Sequence, residues 1–224
     1  MQENVSWIKR HFGRLTLLFL GVLLPLMLLG SVAEDVAEKE VFAFDQPLLM
    51  FAHGRSSALL DTLMYWITTV GSFLVLVPLG VLVFVLLWRA ARRLDATFWV
   101  LAVGGAAVIN FIAKLGFARV RPSLFISRVV ETTYSFPSGH AMSTMAAITA
   151  LCVLLWHTRW RWAMLAGGAP YVALVGASRV YFGVHYPSDI LAGWAASLAW
   201  VLGLKLLFDV RESRRGRAAD RLGA

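Results

Sequence analysis

Three short stretches of this 224-residue sequence carry residues suited to phosphoryl chemistry. The first is Lys114-Leu-Gly-Phe-Ala-Arg-Val-Arg121-Pro122. The second is Pro137-Ser138-Gly139-His140, and the third runs from Ser178-Arg179 through His185 to Asp189. Lys114, Arg121 and Arg179 offer three cations to one anion. Guanidinium groups present forked donors that match phosphate oxygens, and a lysine adds a point charge. Ser138 and Gly139 stand just before an apolar run that reads as a helix. Their backbone N–H groups can therefore meet an anion at a helix N-terminus, and Gly139 lets the backbone approach closely. Such a set can hold a phosphoryl group and the charge that spreads over it in the transition state.

His185 and Asp189 are four residues apart, the spacing of one helical turn, with Pro187 well placed as an early helical residue. A carboxylate on one imidazole nitrogen fixes the tautomer and leaves the other nitrogen free to attack phosphorus. His140 can protonate the leaving oxygen and then activate water. The residues alone leave open which histidine attacks; Asp189 only tilts the choice toward His185. No carboxylate cluster offers magnesium a site, so the expected chemistry uses no metal and no cofactor. Cys152 is the single cysteine, which excludes an intrachain disulfide and a cysteine-based zinc site.

These residues need a membrane scaffold. Hydrophobic residues make up 59% of the chain and charged residues 15%, against about 45–50% and about 25% in soluble domains. That excludes a water-soluble monomer and a disordered chain. The net charge of +8 is read as membrane orientation and not as nucleic-acid binding.

Residues 1–224 read as one all-α, polytopic membrane domain with six spans, at about 15–33, 72–88, 98–117, 141–156, 162–178 and 190–208. The apolar stretch from Leu59 to Trp88 is too long for one helix, and Gly71 and Pro78 offer breaks. Leu59–Val70 is expected to be an interfacial helix. Val41–Ala52, around Asp45 and Pro47, suits an amphipathic piece on the outer surface. Ser31-Val32-Ala33 resembles a cleavage site, and loss of the first apolar run would leave the later topology unchanged. With both termini inside, fourteen of the 21 basic residues are cytoplasmic and every inner connection is basic. All three chemical segments then fall on the outer face.

Simpler readings serve for other residues. His11, His53 and His157 read as interfacial or hydrogen-bonded histidines. Arg119 and Arg128 can hold a second phosphate or a head group, though a solvated loop charge is the simpler account. Asn110 reads as an interhelical hydrogen-bonding residue, and Gly104-Gly105 and Gly167-Gly168 as close-packing sites. Asp61 reads as a helix N-terminal charge or cap, and Cys152 as a small core residue. Trp88, Trp156, Trp160, Trp162, Tyr181 and Tyr186 read as an interfacial aromatic belt.

Together the three segments resemble the signature of the type-2 phosphatidic acid phosphatase family, membrane lipid phosphatases related to vanadium haloperoxidases and glucose-6-phosphatase. That signature is Lys-x6-Arg-Pro, Pro-Ser-Gly-His and Ser-Arg-x5-His-x3-Asp, and the chain matches every defining position between Lys114 and Asp189. The resemblance implies His185 as nucleophile, Asp189 as its partner and His140 as general acid. It implies Lys114, Arg121, Ser138, Gly139 and Arg179 as phosphate binders. The expected activity is lipid phosphate or diphosphate hydrolysis at the outer face of a bacterial inner membrane, with a lipid phosphate substrate and membrane lipids as partners. Undecaprenyl diphosphate is the favoured substrate; phosphatidylglycerol phosphate and phosphatidic acid are rivals. Lipid-to-lipid phosphotransfer and a non-enzymatic lipid translocator are the alternative classes.

Overall fold

The computed structural model describes residues 13, 15–40, 42–125 and 127–221, and every regular element among them is helical. His11, with the basic residues Lys9, Arg10 and Arg14, lies outside the described residues. Helix α1 is Leu15–Ala37 and contains a π-helical stretch, Phe19–Leu23, just ahead of Pro25. A proline removes an N–H and crowds the carbonyl of the preceding turn, and a wider turn absorbs both effects. The next helices are α2 (Asp45–His53), α3 (Ala58–Val70), α4 (Phe73–Arg89) and α5 (Arg93–Phe117). They are followed by α6 (Gly139–Leu155), α7 (Arg161–Tyr181) and α8 (Pro187–Arg221).

Five stretches are long and apolar enough to cross a bilayer: Leu15–Ala37, Ala58–Arg89, Arg93–Phe117, Arg161–Tyr181 and Pro187–Arg211. Helix α6 is apolar but has 17 residues, about 26 Å of helix. The long apolar stretch breaks at Gly71-Ser72, as its composition suggests, whereas Pro78 lies inside α4 and does not end it. Pro78 forfeits one backbone bond. Unwinding the turn in apolar surroundings would strand several more, so the helix continues.

Helices α6 and α8 form the centre, packed on each other and on α5, with α1 against α8 and α7 against α6. Their contact surface is built of small residues, including Ala102, Ala106, Ala146, Ala150 and Val201, all fully buried. Small side chains let apolar helices approach closely where no hydrophobic force drives them together. One glycine of each pair does this work: a Cβ on Gly105 would stand 2.4 Å from the Trp200 ring, whereas Gly104 faces open space. Gly168 meets Ile148 in the same way, and Gly167 meets nothing. Leu74, Leu82, Phe111 and Ile112 are exposed, an apolar exterior suited to lipid.

Three expectations about individual residues need correction. Trp88, Trp156, Trp160 and Trp162 are exposed near helix ends, three of them under the guanidinium groups of Arg93, Arg159 and Arg161. Tyr181, however, is buried and Tyr186 lies beneath Arg119, so neither belongs to a surface belt. Asp61 stands in the first turn of α3 as an N-terminal charge, but it is not the cap, because Ser57 accepts the Leu60 N–H there. Asp61 instead accepts from the Tyr181 hydroxyl at 2.5 Å and pairs with Arg128 at 2.5 Å. Cys152 is half-buried and lines an apolar cavity of about 310 Å³ between α6, α7 and α8.

Candidate active site

The end of α5, the starts of α6 and α8 and the end of α7 meet at one end of the bundle. Each joint is fixed by local backbone chemistry. Helix α5 stops at Ala118, which takes the left-handed conformation with its N–H on the Lys114 carbonyl. The chain then turns directly into Arg119 and Arg121. Helix α7 ends in a Schellman turn: Gly183 N–H reaches Val180 O and Val184 N–H reaches Arg179 O. That turn needs a positive φ, and Gly183 supplies φ +66°. It folds Val184 and His185 back beneath the end of α7.

His185 therefore precedes α8 and does not share a helix with Asp189, which corrects the one-turn reading of their spacing. Asp189 is the third residue of α8, and its Oδ2 reaches back to the Tyr186 N–H at 2.9 Å, the acidic half of a capping box. The same oxygen lies 3.3 Å from His185 Nδ1. Both side chains are buried.

The tautomer of His185 follows from its other neighbour. Arg121 Nη1 lies 3.1 Å from His185 Nε2 and also donates to the Val184 carbonyl at 2.6 Å. A guanidinium can only donate. Nε2 therefore presents its lone pair to Arg121, and Nδ1 carries the proton toward Asp189. Burial pushes the His185 imidazole down to about 4, against the opposing pull of Asp189. Burial also lowers Arg121 from its ordinary value, and Glu131 works against that shift.

The other expected phosphate binders converge on this point. Arg179 is 1% exposed, donates to Thr68 Oγ1 at 2.6 Å and pairs with Glu131. Its Nε is buried without a partner. Lys114 donates to Thr133 Oγ1 at 3.2 Å and to the Tyr134 carbonyl. Ser138 is the N-cap of α6; its hydroxyl accepts the Ala141 N–H at 3.5 Å and its own N–H goes to the Asp189 carbonyl at 3.2 Å. That backbone bond ties the start of α6 to the start of α8. Gly139 and His140 are the first residues of α6, where N–H groups have no intrahelical acceptor. His140 shares this end of the bundle with Arg179, His185, Arg121 and Lys114. Asn110 bridges helices as expected, donating to the Pro137 carbonyl at 3.0 Å and facing Met142 Sδ at 3.2 Å.

Four participants were not legible as such. Glu131, in the loop between α5 and α6, places its carboxylate among the cations, paired with Arg179 and 3.5 Å from Arg121. Thr68 reaches Arg179 from α3, so the helix expected at the interface also serves the site. Asp45 belongs to α2, which is not a mere surface piece: Asp45 and Leu49 are buried while Met50 and Phe51 face outward. Arg119 is no solvated loop charge, since it contacts Asp189, Asp45, Ser188 and the Tyr186 ring. Arg128 is exposed and pairs with Asp61, and His53 stacks on Phe125 with centroids 3.9 Å apart. Only Arg119 carried a signal, because it stands inside the Lys114–Pro122 segment.

An all-helical membrane scaffold that gathers a carboxylate-held histidine, a second histidine and three cations at one end defines the class of membrane phosphoryl-transfer proteins. The chain belongs to the PAP2 superfamily, whose family model matches residues 95–212. It is 29% identical over 206 residues to the undecaprenyl-diphosphatase of Sulfolobus acidocaldarius, covering 90% of this chain and 92% of that one. It is 31% identical over 157 residues to phosphatidylglycerophosphatase B of Bacillus subtilis, covering 68% and 74%. Its fold is similar to the crystal structure of a transmembrane PAP2-type phosphatidylglycerolphosphate phosphatase from Bacillus subtilis. That match has TM-score 0.73 and 27% identity, and covers 84% of this chain and 96% of the other.

Proposed function

We propose that this chain is a membrane lipid phosphatase that works through a phosphohistidine. The observation that carries the reading is the geometry around His185, with Nδ1 3.3 Å from Asp189 Oδ2 and Nε2 3.1 Å from Arg121 Nη1 in the cationic cluster. In the reaction, the substrate phosphate takes the place of the Arg121 contact and Nε2 attacks phosphorus. A P–N bond forms as the P–O bond to the lipid leaving group breaks. His140 gives its proton to the departing oxygen. Asp189 supports the positive charge that develops on the ring. Lys114, Arg121, Arg179 and the N–H groups at the start of α6 hold the phosphoryl oxygens. The unpartnered Nε of Arg179 is one donor that a phosphate oxygen would satisfy. Water then attacks phosphorus, His140 takes its proton, and the P–N bond breaks to release inorganic phosphate. These steps need no metal.

The favoured substrate is undecaprenyl diphosphate, with phosphatidylglycerol phosphate and phosphatidic acid as rivals, since the charged cluster reads the phosphate and not the tail. We place α6 as a sixth crossing, with both termini on the cytoplasmic side and the site on the outer face of a bacterial inner membrane. The basic connections at the opposite end, Arg89 to Arg93 and Arg159 to Arg161, support that orientation.

Phosphate release by purified protein in detergent with EDTA tests the reading. The three lipids are compared in parallel with a His185→Ala control. Release that survives EDTA and vanishes in the variant supports it, and the relative rates rank the substrates. Release that requires a divalent metal, or that persists in His185→Ala, overturns it.

A further inference from the structure

The His185–Asp189 pair is held by a buried charge chain that reaches outside the family-matched region. Arg119 Nη1 donates to Asp189 Oδ1 at 2.6 Å, on the carboxylate oxygen that does not face His185. Arg119 Nη2 lies 3.1 Å from Asp45 Oδ2, at the first residue of α2. Ser188 closes the circuit. Its hydroxyl accepts from Arg119 Nη1 at 2.8 Å and donates to Asp45 Oδ2 at 2.6 Å, while its N–H donates to Asp45 Oδ1 at 2.9 Å. Asp45, Ser188 and Asp189 are each at most 1% exposed. Beneath Arg119 lies the Tyr186 ring, 4.2 Å from the guanidinium carbon.

Charge balance gives this chain a function. Arg119 alone on Asp189 would neutralise the carboxylate and draw its charge away from His185. Asp45 is a second anion on the same guanidinium. With Asp45 present, Asp45, Arg119 and Asp189 sum to one negative charge, and that charge remains available to the imidazole. Removing one member of such a buried set leaves the others uncompensated. Asp45 also bonds the N–H and the hydroxyl of Ser188, which fixes the first turn of α8 and so the direction in which Asp189 points.

We propose that Asp45 and Arg119 are positioning residues for the nucleophilic dyad: Asp45 acts as counter-ion to Arg119 and thereby keeps Asp189 charged toward His185. The inference rests on the His185 reading above. It assigns a role in the reaction to α2, at a position outside residues 95–212 that match the family.

The test uses the full-length protein in detergent, the lipid with the fastest release, and orthovanadate as a probe of the phosphate pocket. Asp45→Asn should lower kcat tenfold or more, while KM and vanadate inhibition move less than threefold. In an Arg119→Gln background the counter-ion part of that effect should vanish, leaving only what the two Ser188 bonds contribute. Arg119→Ala should lose kcat and recover part of it with added guanidinium. A cavity of about 300 Å³ lined by Asp45, Arg119 and Tyr186 gives that small cation access. Thermal unfolding of each variant shows that it folds. Wild-type kcat in folded Asp45→Asn overturns the inference. So does a loss in which KM rises and vanadate affinity falls in step with the drop in kcat and guanidinium rescues nothing, since that is a structural effect. His185→Ala separates the two levels: if it stays active, the site reading fails, and if it is dead while Asp45→Asn is normal, only the positioning role fails.

Discussion

Acid pH should switch this site off unusually late. Nucleophilic attack needs neutral His185, and burial holds that imidazole at about 4 instead of its ordinary 6.5. A gap of about 2.5 units corresponds to roughly 3 kcal/mol in favour of the neutral ring. At pH 5 about nine-tenths of the sites would then keep a neutral nucleophile, against about 3% for an unshifted histidine. The sign is fixed by the neutral form being the reactive one: protonation at Nε2 blocks attack, and activity falls as pH drops through about 4. The same shift enters folding. The unfolded chain takes up this proton below about 6.5 and the folded chain only near 4, so the contribution to stability is present above 6.5 and fades toward 4. The assay is a histidine-ring ¹⁵N NMR titration of the protein in detergent, with His185 assigned by difference from His185→Gln. This readout is free of the substrate's own ionisation. The acid limb of kcat/KM, which reports the free enzyme, should share its midpoint. Asp189→Asn should move the titration lower still, because Asp189 is the group that pulls it upward. A midpoint of 6 to 6.5 in the parent protein would refute the argument that burial sets this group.

Other outcomes follow from the same geometry. Glu131 places a carboxylate among Arg179 and Arg121, where an incoming anion must sit. Glu131→Gln should tighten orthovanadate inhibition severalfold, and unchanged inhibition would mean the carboxylate does not compete. Arg121→Lys loses the planar fork that holds Thr133 O through Nε while Nη1 meets Val184 O and His185 Nε2, so kcat/KM should fall about a hundredfold or more; a loss below tenfold counts against a role at Nε2. Gly183→Ala forces a side chain into φ +66° and sets a Cβ 2.5 Å from the Phe125 ring. It should cost about 1–2 kcal/mol from the backbone alone and lower both the melting temperature and kcat, and a variant with unchanged melting would show the turn to be relaxed. Gly105→Ala, with its Cβ 2.4 Å from the Trp200 ring, should cost about 1–3 kcal/mol by overpacking while KM stays the same. A shifted KM there would contradict the separation of core from site.

Much of the scaffold was already legible in the chain. Apolar runs of membrane length need no tertiary information, because each helix must satisfy its own backbone in apolar surroundings. The break at Gly71 is likewise a local event. Pro78 misled because a proline weakens a helix locally, and the surroundings decide whether the helix yields. The chemical residues were legible for a different reason. Lys114, Arg121, His140, Arg179, His185 and Asp189 are costly at membrane depth, so their presence at span ends points to function.

Tertiary structure decided how those residues meet. The four-residue spacing of His185 and Asp189 suggests one helix face, yet the Schellman turn at Gly183 and the N-terminal position of Asp189 in α8 make it a capping contact. The tautomer of His185 depends on Arg121, 64 residues away in sequence. Arg179 depends on Thr68 and Glu131, and Asp189 on Arg119 and Asp45, at separations of 48 to 111 and 70 to 74 residues among the bonds involved. No local pattern records such pairs. An isolated arginine in a loop has the same sequence signature whether it is solvated or bridges two buried carboxylates. The sequence by itself determined which elements form and which side chains are able to do chemistry, because helix formation and side-chain type are local properties. Only the packing of α2, α3 and the loop between α5 and α6 onto the bundle end decided which charges face one another, because burial and pairing belong to the assembled molecule.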